Sequence, residues 1–466
     1  MIESSAYKQL AYDHLNDTEL YLKDNKTTLE AITTKINKVW KTICTCRNIP
    51  KSIQFNYRKP NAEFPKFYFL IKTHKSLSDL KIRPIVSSIN GPGKKYMWLI
   101  TRLLNPLLQD VPSHLRNSME LIDKINDFDK EDLKRFNFPC SFDVTAMYTS
   151  IPTQEAISNA VQMLTEKNFA YHGLTASDVG DMLTVLLDNT YFKYENIIYK
   201  QTQGLPMGAS ISGILAILFM HSLEKQILPH PSIGIYARYV DDIFVLATNK
   251  TEATRLLEVM NDLHPNLKFT IEFPTDDNSL SLLDFSVKIS KQSVNFNFYK
   301  KSAKKPLFVN YSSALPLRNK VNYVKNEYHR RMERCSTTAQ RQEASREFQE
   351  ILKLNDYPKD FMNIKLPRIR LKPTSGTTEY SYYKIPFVSD SLDDRISRVF
   401  NDLDLPVRIT HPSFTLRMAL NTATKNVHPC TWKSCQNPSK DICQEKSVVY
   451  KITCNRCQEY YIGSTF

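Results

Sequence analysis

The 466-residue sequence predicts an α+β fold organised around a ferredoxin-like sheet. Three observations predict it. Between residues 138 and 300, alternating apolar segments and helical segments follow the order β–α–β–β–α–β, that of a ferredoxin-like unit. Within it, two short apolar runs, Ile235–Arg238 and Ile243–Ala247, flank Tyr239-Val240-Asp241-Asp242, which reads as strand, tight turn, strand. After it, Leu317–Leu354 is a long charged helical stretch with Val321, Val324, Tyr328 and Met332 on one face.

From the start of the chain, residues 19–43 place Leu22, Leu29, Ile32, Ile36, Val39, Trp40 and Ile43 on one helical face. Residues 64–90 read as a β-hairpin, Gly91-Pro92-Gly93 as a loop, and Leu99, Leu103 and Leu104 as the apolar side of a helix. Strand 138–142 ends on Asp143, and a helix starts near Thr153. Tyr191–Gln201 reads as a hairpin turning at Glu195-Asn196. Gln203–Ser210 is a Gly-containing loop opening onto an apolar helix over Ile211–Leu223, with Ser210 in position to cap it. A helix over 251–263 leads to strands at 267–273, 280–289 and 293–300. Pro358 and Pro367 end the charged helical stretch, and 373–390, rich in Ser, Thr, Tyr and Pro, reads as a connection.

The chemistry concentrates on three carboxylates. Adjacent aspartates repel each other, and a hairpin core has no structural use for Asp241 and Asp242; a pair of divalent cations would relieve the repulsion and use the charge. An exposed acidic turn is the alternative for an isolated Asp-Asp pair. Here Asp143 lies in a matching setting, at the end of an apolar strand with Tyr148 five residues later.

In order, FDVTAMY, QGLPMGASIS and YVDD resemble motifs A, B and C of reverse transcriptases. The resemblance narrows to the Penelope-like retroelements. Phe67–Lys75 and Lys81–Ser87 look like their fingers motifs; Leu282-Leu283-Asp284-Phe285 and the basic stretch after Tyr311-Ser312-Ser313 match as well. Val448–Ile452 and Tyr460–Thr465, with Tyr450 and Tyr461, resemble the opening strands of the GIY-YIG endonuclease that these elements carry behind the polymerase. The resemblance implies a right-hand polymerase of fingers, palm and thumb, with the ferredoxin-like sheet as palm and a mostly helical thumb. It divides the chain into N-terminal helices and fingers (1–136), palm (137–300), thumb (301–400), a linker with a small Cys-rich segment (401–446) and the start of the nuclease (447–466). No downstream Arg or Glu follows Phe466, so the expectation is a truncated nuclease without cleavage activity.

The implied reaction joins a dNTP to a primer 3′-hydroxyl on an RNA template, with two Mg²⁺ or Mn²⁺ ions. By resemblance, Asp143 and Asp241 are the main metal ligands, Asp242 assists, and the Val144 carbonyl adds a ligand. Tyr148 occupies the steric-gate position, where a ring excludes a 2′-hydroxyl; a core tyrosine is the alternative. Gln203 and Gly204 lie along the incoming nucleotide and template. Lys72 and Arg83 resemble the fingers cations that hold the triphosphate, Arg83 by bidentate contact. Lys268 is a candidate proton donor to pyrophosphate, and Leu283-Asp284-Phe285 a primer grip.

Composition is globular, 42% hydrophobic and 24% charged, with net charge +14. Residues 300–372 hold 18 Lys and Arg against 7 Asp and Glu, interleaved with Tyr299, Tyr311, Tyr323, Tyr328 and His329. That favours a nucleic-acid surface, with Arg330, Arg331 and Arg334 as its candidates, over a merely solvated face. Of nine cysteines, Cys44, Cys46, Cys140 and Cys335 are scattered and read as unpaired. Cys430, Cys435, Cys443, Cys454 and Cys457 cluster beside His428 with zinc-like spacing; free thiols in a small hairpin are the alternative. No signal segment or membrane span is read, so the expectation is a soluble intracellular chain, and the resemblance implies the nucleus, with RNA template, DNA primer or target DNA and dNTP as partners. Two other readings stay open: an RNA-dependent RNA polymerase, whose motif C also pairs aspartates, and a catalytically silent or host-retained remnant that binds nucleic acid.

Overall fold

The computed structural model describes residues 3–71, 82–291, 293–300, 307–359, 361, 381–385, 387–403, 405–411, 449–453 and 460–464. They divide into two compact units, one of residues 1–307 and 327–351, the other of 308–326 and 352–466.

The first unit opens with α1 (Ser4–Leu15), β1 (Tyr21–Lys23), α2 (Leu29–Cys46) and α3 (Lys51–Asn56). The helix expected over 19–43 begins only at Leu29. Asp24 accepts hydrogen bonds from the amides of Lys26 and Thr27 and from the Thr27 hydroxyl, closing an Asx turn, and Thr28 caps α2 at the Ala31 amide. Leu22, expected on the helix face, is instead an exposed residue of an edge strand; Ile32, Ile36, Trp40 and Ile43 are buried as expected.

The expected hairpin over 64–90 forms as β2 (Lys66–Ile71) and β3 (Ile82–Ser87), followed by α4 (Lys94–Leu104), a 3-10 turn, α5 (Ser118–Asn126) and α6 (Lys130–Arg135). Next come β4 (Phe138–Val144), α7 (Met147–Ser150), α8 (Thr153–Glu166), α9 (Ala176–Asp188), β5 (Tyr191–Tyr194) and β6 (Ile197–Gln201). Strands β1, β6, β5, β2 and β3 make one five-stranded sheet, in that order. Then α10 (Ser210–Ile227), β7 (Ile233–Tyr239), β8 (Asp242–Ala247), α11 (Lys250–Asp262) and β9 (Phe269–Glu272) complete a four-stranded sheet in the order β7-β8-β4-β9, with every neighbour antiparallel. Connection and order are those of a ferredoxin-like unit, as the sequence predicts.

That sheet is covered on both faces. Along β8, Ile243, Val245 and Ala247 join the core built with α2, α4, α8, α9 and α10, while Phe244 and Leu246 face a second core with Ile235, Ala237 and residues of α5 and α6. All five are at most 1% exposed, and the four larger ones stabilise the sheet by about 1.5–3 kcal/mol each. Helix α10 is apolar nearly all round because it is buried nearly all round.

The strand expected over 280–289 is a hairpin, β10 (Ser279–Leu282) and β11 (Phe285–Ile289), which with β12 (Val294–Phe298) forms a separate three-stranded sheet. Leu283 turns the chain at φ +54°, so alternating hydrophobicity runs through the turn and hides it from a periodicity reading. The helical stretch expected over 317–354 is two helices, α12 (Leu317–Glu333) and α13 (Thr338–Leu354). At the break, Ser336 leaves the helix: its amide donates to the Phe296 carbonyl and its hydroxyl accepts from the Phe296 amide.

In the second unit, Tyr311 and Phe361 each pack edge-on against Tyr357, and the Lys320 ammonium donates to the Tyr311 carbonyl. The connection expected over 373–390 contains β13 (Ser381–Lys384), which pairs in parallel with β14 (Val407–Thr410) across α14 (Asp390–Asp402). Strands β15 (Val449–Thr453) and β16 (Tyr460–Ser464) pair antiparallel, with Tyr461 opposite Ile452 and Tyr450 opposite Gly463. Among the described residues, no helix is long and apolar enough to cross a membrane.

Candidate active site

The three aspartates meet at one end of the four-stranded sheet. Asp143 on β4 stands directly opposite Asp242 on β8, and Asp241 is in the two-residue turn between Tyr239 and Asp242. That turn is strained: Val240 holds φ +59°, an outlier for a β-branched residue. Strand β9 flanks β4 on the other side, with Thr270 opposite Asp143 and Phe269 opposite Val144. Lys268 is exposed there and its carbonyl accepts from the Thr145 amide, so its backbone is fastened beside the aspartate strand.

The turn is braced from beneath. Arg238, fully buried, donates to both carboxylate oxygens of Glu224 at 2.5 and 3.2 Å, to the Ile217 carbonyl at 3.1 Å and to the Val240 carbonyl at 3.3 Å. Glu224 also accepts from the Ser113 hydroxyl at 2.6 Å. Sequence reading missed this pair. The available signal was a carboxylate and a guanidinium placed inside elements otherwise apolar enough to be core, which requires them to be partnered.

Beyond the aspartate strand, Ala146 takes a left-handed conformation, φ +50°, and α7 carries Tyr148. Tyr148 is partly buried against the core. Burial raises its hydroxyl's pKa, the negative charge of Asp241 raises it further, and Arg83 opposes both. The ring therefore lies within electrostatic reach of Asp241, a candidate metal ligand, and of the exposed Arg83 on β3.

The Gly-containing loop joins these parts. The Leu205 amide donates to the Tyr148 carbonyl at 2.6 Å, and the Val86 amide of β3 donates to the Met207 carbonyl at 2.7 Å. Two glycines permit the approach. Gly204 holds φ +72° with a would-be Cβ 2.5 Å from Thr149 backbone; Gly208 holds φ +106° with a would-be Cβ 2.6 Å from the Val86 carbonyl oxygen. The Gln201 side-chain Nε2 fixes the loop by donating to the Gln203 and Gly204 carbonyls, and Gln203 is exposed. Ser210 does not cap α10: Ala209 holds the cap position, Ser210 begins the helix, and its hydroxyl accepts from Thr101 of α4.

Among the described residues, no three His, Cys, Asp or Glu side chains converge as a ready-made metal cluster. The donor set nevertheless suits Mg²⁺, which takes hard oxygen ligands and is held by one or two carboxylates plus water and substrate phosphates rather than by an all-protein cage. Lys72, His428, Cys430, Cys435, Cys443, Cys454 and Cys457 lie outside the described residues; Cys44, Cys46, Cys140 and Cys335 are free thiols.

The expected nucleic-acid arginines are placed otherwise. Arg334 donates to Asp284 at 2.8 Å and to Ser118 at 2.8 Å; Arg330 donates to Asp284 and Glu327 at 2.8 Å each; Arg331 donates to Glu327 at 2.9 Å. Arg331 and Arg334 are buried, so neither guanidinium is available to a phosphate backbone. Burial pushes Asp284 up, but the Ser118 hydroxyl and the guanidinium groups of Arg334 and Arg330 outweigh it and hold the carboxyl below its ordinary range. Glu327 behaves alike: burial raises it, and Arg330 and Arg331 bring it below. A basic run on one helix was legible; its acceptors Asp284, Glu327 and Ser118 were not.

Residues 72–273, which include all three aspartates and the loop, match the family model described as reverse transcriptase (RNA-dependent DNA polymerase), and residues 307–366 match that of an animal helix-turn-helix domain. The first match shows that this segment, 202 of the 466 residues, is similar to reverse transcriptase domains. Telomerase reverse transcriptase of Takifugu rubripes is 24% identical over 177 residues, 36% of this chain and 16% of the relative, so the chain aligns with a small part of that protein. Among solved structures, telomerase from Candida albicans in complex with a TWJ fragment of telomeric RNA overlaps 75% of this chain and 60% of its own, at 11% identity and TM-score 0.47. BmCPV RNA-dependent RNA polymerase at elongation state overlaps 75% of this chain and 32% of its own, at 13% identity and TM-score 0.43.

Proposed function

We propose that this chain is the RNA-directed DNA polymerase of a Penelope-like retroelement, extending a DNA primer on an RNA template. One observation carries the reading: inside the segment similar to reverse transcriptase domains, Asp143 and Asp242 stand opposite each other on adjacent strands, with Asp241 at a strained turn beside them. Asp143, Asp241 and Asp242, with the Val144 carbonyl, would hold two Mg²⁺ ions, which when bound activate the attacking hydroxyl and neutralise the leaving pyrophosphate.

The chain's own residues position the reactants. Arg83 receives the triphosphate with a planar, permanently charged fork, and Lys72 adds a point charge. Tyr148 fills the space under the sugar, so a 2′-hydroxyl is rejected sterically. The loop at Gln203 and Gly204 presents backbone to the nucleotide and template, and Lys268 supplies a proton to pyrophosphate. The Leu283-Asp284 turn, fixed by Arg330 and Arg334, supports the primer.

The finer parts of the reading rest on motif likeness. The β15–β16 hairpin supports a GIY-YIG-type segment carrying Tyr450 and Tyr461, the cysteine group beside it is a zinc site, and the working compartment is the nucleus. The decisive experiment is primer extension with dNTP on an RNA template in Mg²⁺ or Mn²⁺. Asp241→Ala abolishes extension while leaving primer–template affinity within about twofold. A parent without extension, or a variant as active as its parent, removes the polymerase reading and leaves the nucleic-acid-binding remnant, which the helix-turn-helix match favours.

A further inference from the structure

Helices α3 and α4 present a second surface. Trp98 and Phe55 are 51% and 55% exposed, large areas for rings of this size. Each ring is faced by a guanidinium: Arg102 lies 5.0 Å from the Trp98 centroid, and Arg58 lies 4.6 Å from that of Phe55. The Lys95 ammonium on α4 donates to the Asn56 carbonyl at 2.8 Å, so the two helices adjoin. Residues 51–62 and 91–109 contain Lys51, Arg58, Lys59, Lys94, Lys95 and Arg102 and no carboxylate.

The surface is held rigidly from behind. The buried Trp40 donates its ring N–H to the Gln54 carbonyl at 3.1 Å and packs edge-on against Tyr57, fixing α3. Tyr96, Met97, Leu99, Ile100, Leu103 and Leu104 bury the opposite side of α4, and Thr101 bonds Ser210 at the start of α10. Exposed rings on a fixed backbone cost little entropy to stack upon, and flanking cations attract a phosphate chain.

We propose that the Trp98–Phe55 surface binds an unpaired nucleic-acid strand, its bases stacking on the two rings and its phosphates meeting Arg58, Lys95 and Arg102. Paired strands are excluded by the chemistry, since their base faces are already stacked. The proposal rests on the reading of this chain as a template-copying enzyme, and it names where a strand outside the copying site is held. RNA and DNA single strands share the required chemistry, and the test distinguishes them.

The test titrates full-length protein with fluorescein-labelled U12 RNA and dT12 DNA, without nucleotide or added metal, and reads anisotropy together with tryptophan fluorescence. Trp98→Ala weakens binding by about 5- to 100-fold, and Phe55→Ala acts in the same direction. Trp98→Phe retains most of the affinity, as a stacking role requires. Of three tryptophans, Trp40 is buried, and oligonucleotide quenches a signal that Trp98→Phe loses. Removing Lys95 and Arg102 together shallows the dependence of log K on log salt, whereas Trp98→Ala leaves the slope alone. Tighter binding of U12 assigns the surface to the template side, tighter binding of dT12 to a DNA strand. Affinity unchanged within twofold in the Trp98→Ala/Phe55→Ala double variant overturns the proposal. So does a change in oligomeric state with no change in affinity, which makes the surface a protein contact. Primer extension is scored separately, so an inactive parent refutes the polymerase reading without touching this result.

Discussion

Removing the Arg238–Glu224 brace separates holding the fold from holding the Val240-Asp241 turn. Arg238→Met alone leaves the Glu224 carboxylate buried, 3% exposed, without its guanidinium. Such orphaned charges cost about 3–5 kcal/mol, enough to unfold a marginal protein. Replacing both, Arg238→Met with Glu224→Leu, together with Ser113→Ala so that no buried hydroxyl loses its acceptor, substitutes apolar volume for the pair and recovers most of that loss. The triple variant still lacks the donor to the Val240 carbonyl. A hydrogen bond from a charged donor contributes about 1.5–3 kcal/mol. The left-handed conformation at Val240 costs about 1–2 kcal/mol, so bond and strain are of similar size. Without the bond the turn relaxes, and Asp241 shifts away from its place beside Asp143 and Asp242. The expected result is a near-parental melting temperature with a fall in kcat of about 10- to 100-fold, because 1.4 kcal/mol is tenfold in rate. KM for dNTP changes much less, since Arg83 and Tyr148 are not supported by the brace. Thermal melting and steady-state primer extension measure both quantities. A triple variant that is folded and turns over at the parental rate refutes the bracing argument.

Other outcomes follow from the same geometry. Tyr148→Val admits ribonucleotides, raising the rNTP to dNTP ratio of kcat/KM by at least tenfold; an unchanged ratio means the ring is packing, not gating. Gly208→Ala forces a Cβ to within 2.6 Å of the Val86 oxygen at φ +106°, so it lowers stability by about 2 kcal/mol or more and disturbs the loop that touches Tyr148; a parental melting temperature would show the loop free to move. Neutralising Arg330, Arg331 and Arg334 together destabilises the protein by several kcal/mol, since it leaves Asp284 and Glu327 unpaired, and the salt dependence of oligonucleotide binding stays as steep as in the parent. Both carboxyls titrate below their ordinary range when folded, so their stabilisation is complete above about pH 5 and disappears as pH falls through the depressed folded values. Asp284→Asn flattens that acid limb, read by urea melts between pH 3 and 6; an identical acid limb would show that the pairing contributes nothing.

The palm was legible because its elements carry strong periodicity and its turn breaks a rule. β8 reads as an unbroken apolar run because both of its faces are buried, and paired aspartates next to such a strand have no use in packing. The hairpin at Leu283-Asp284 was not legible, because Leu282, Leu283 and Phe285 keep an apolar run going through the turn and only a backbone angle reverses it. The break after Glu333 did carry a local signal, a capping box in which Thr337 and Gln340 exchange side-chain and backbone hydrogen bonds at the start of α13, but the bond of Ser336 to a strand forty residues earlier is not encoded locally. The arginines of α12 were misplaced by the same gap. Charge is visible in sequence, but whether a guanidinium faces water or Asp284 depends on tertiary packing.

The opposition of Asp143 and Asp242 has a consequence for biosynthesis. These strands neighbour each other in space but lie about 100 residues apart in the chain, so loop closure precedes any reward from pairing. A ribosome adding about 5–20 residues per second leaves β4 waiting roughly 5–20 seconds for β8 to be made. Throughout that interval Phe138, Cys140 and Phe142 lack the strand neighbours Ala247, Val245 and Ile243. The same delay has a second effect: Asp143 cannot meet Asp241 and Asp242 until β8 has been translated, so a chain terminated before β8 lacks the three-carboxylate arrangement.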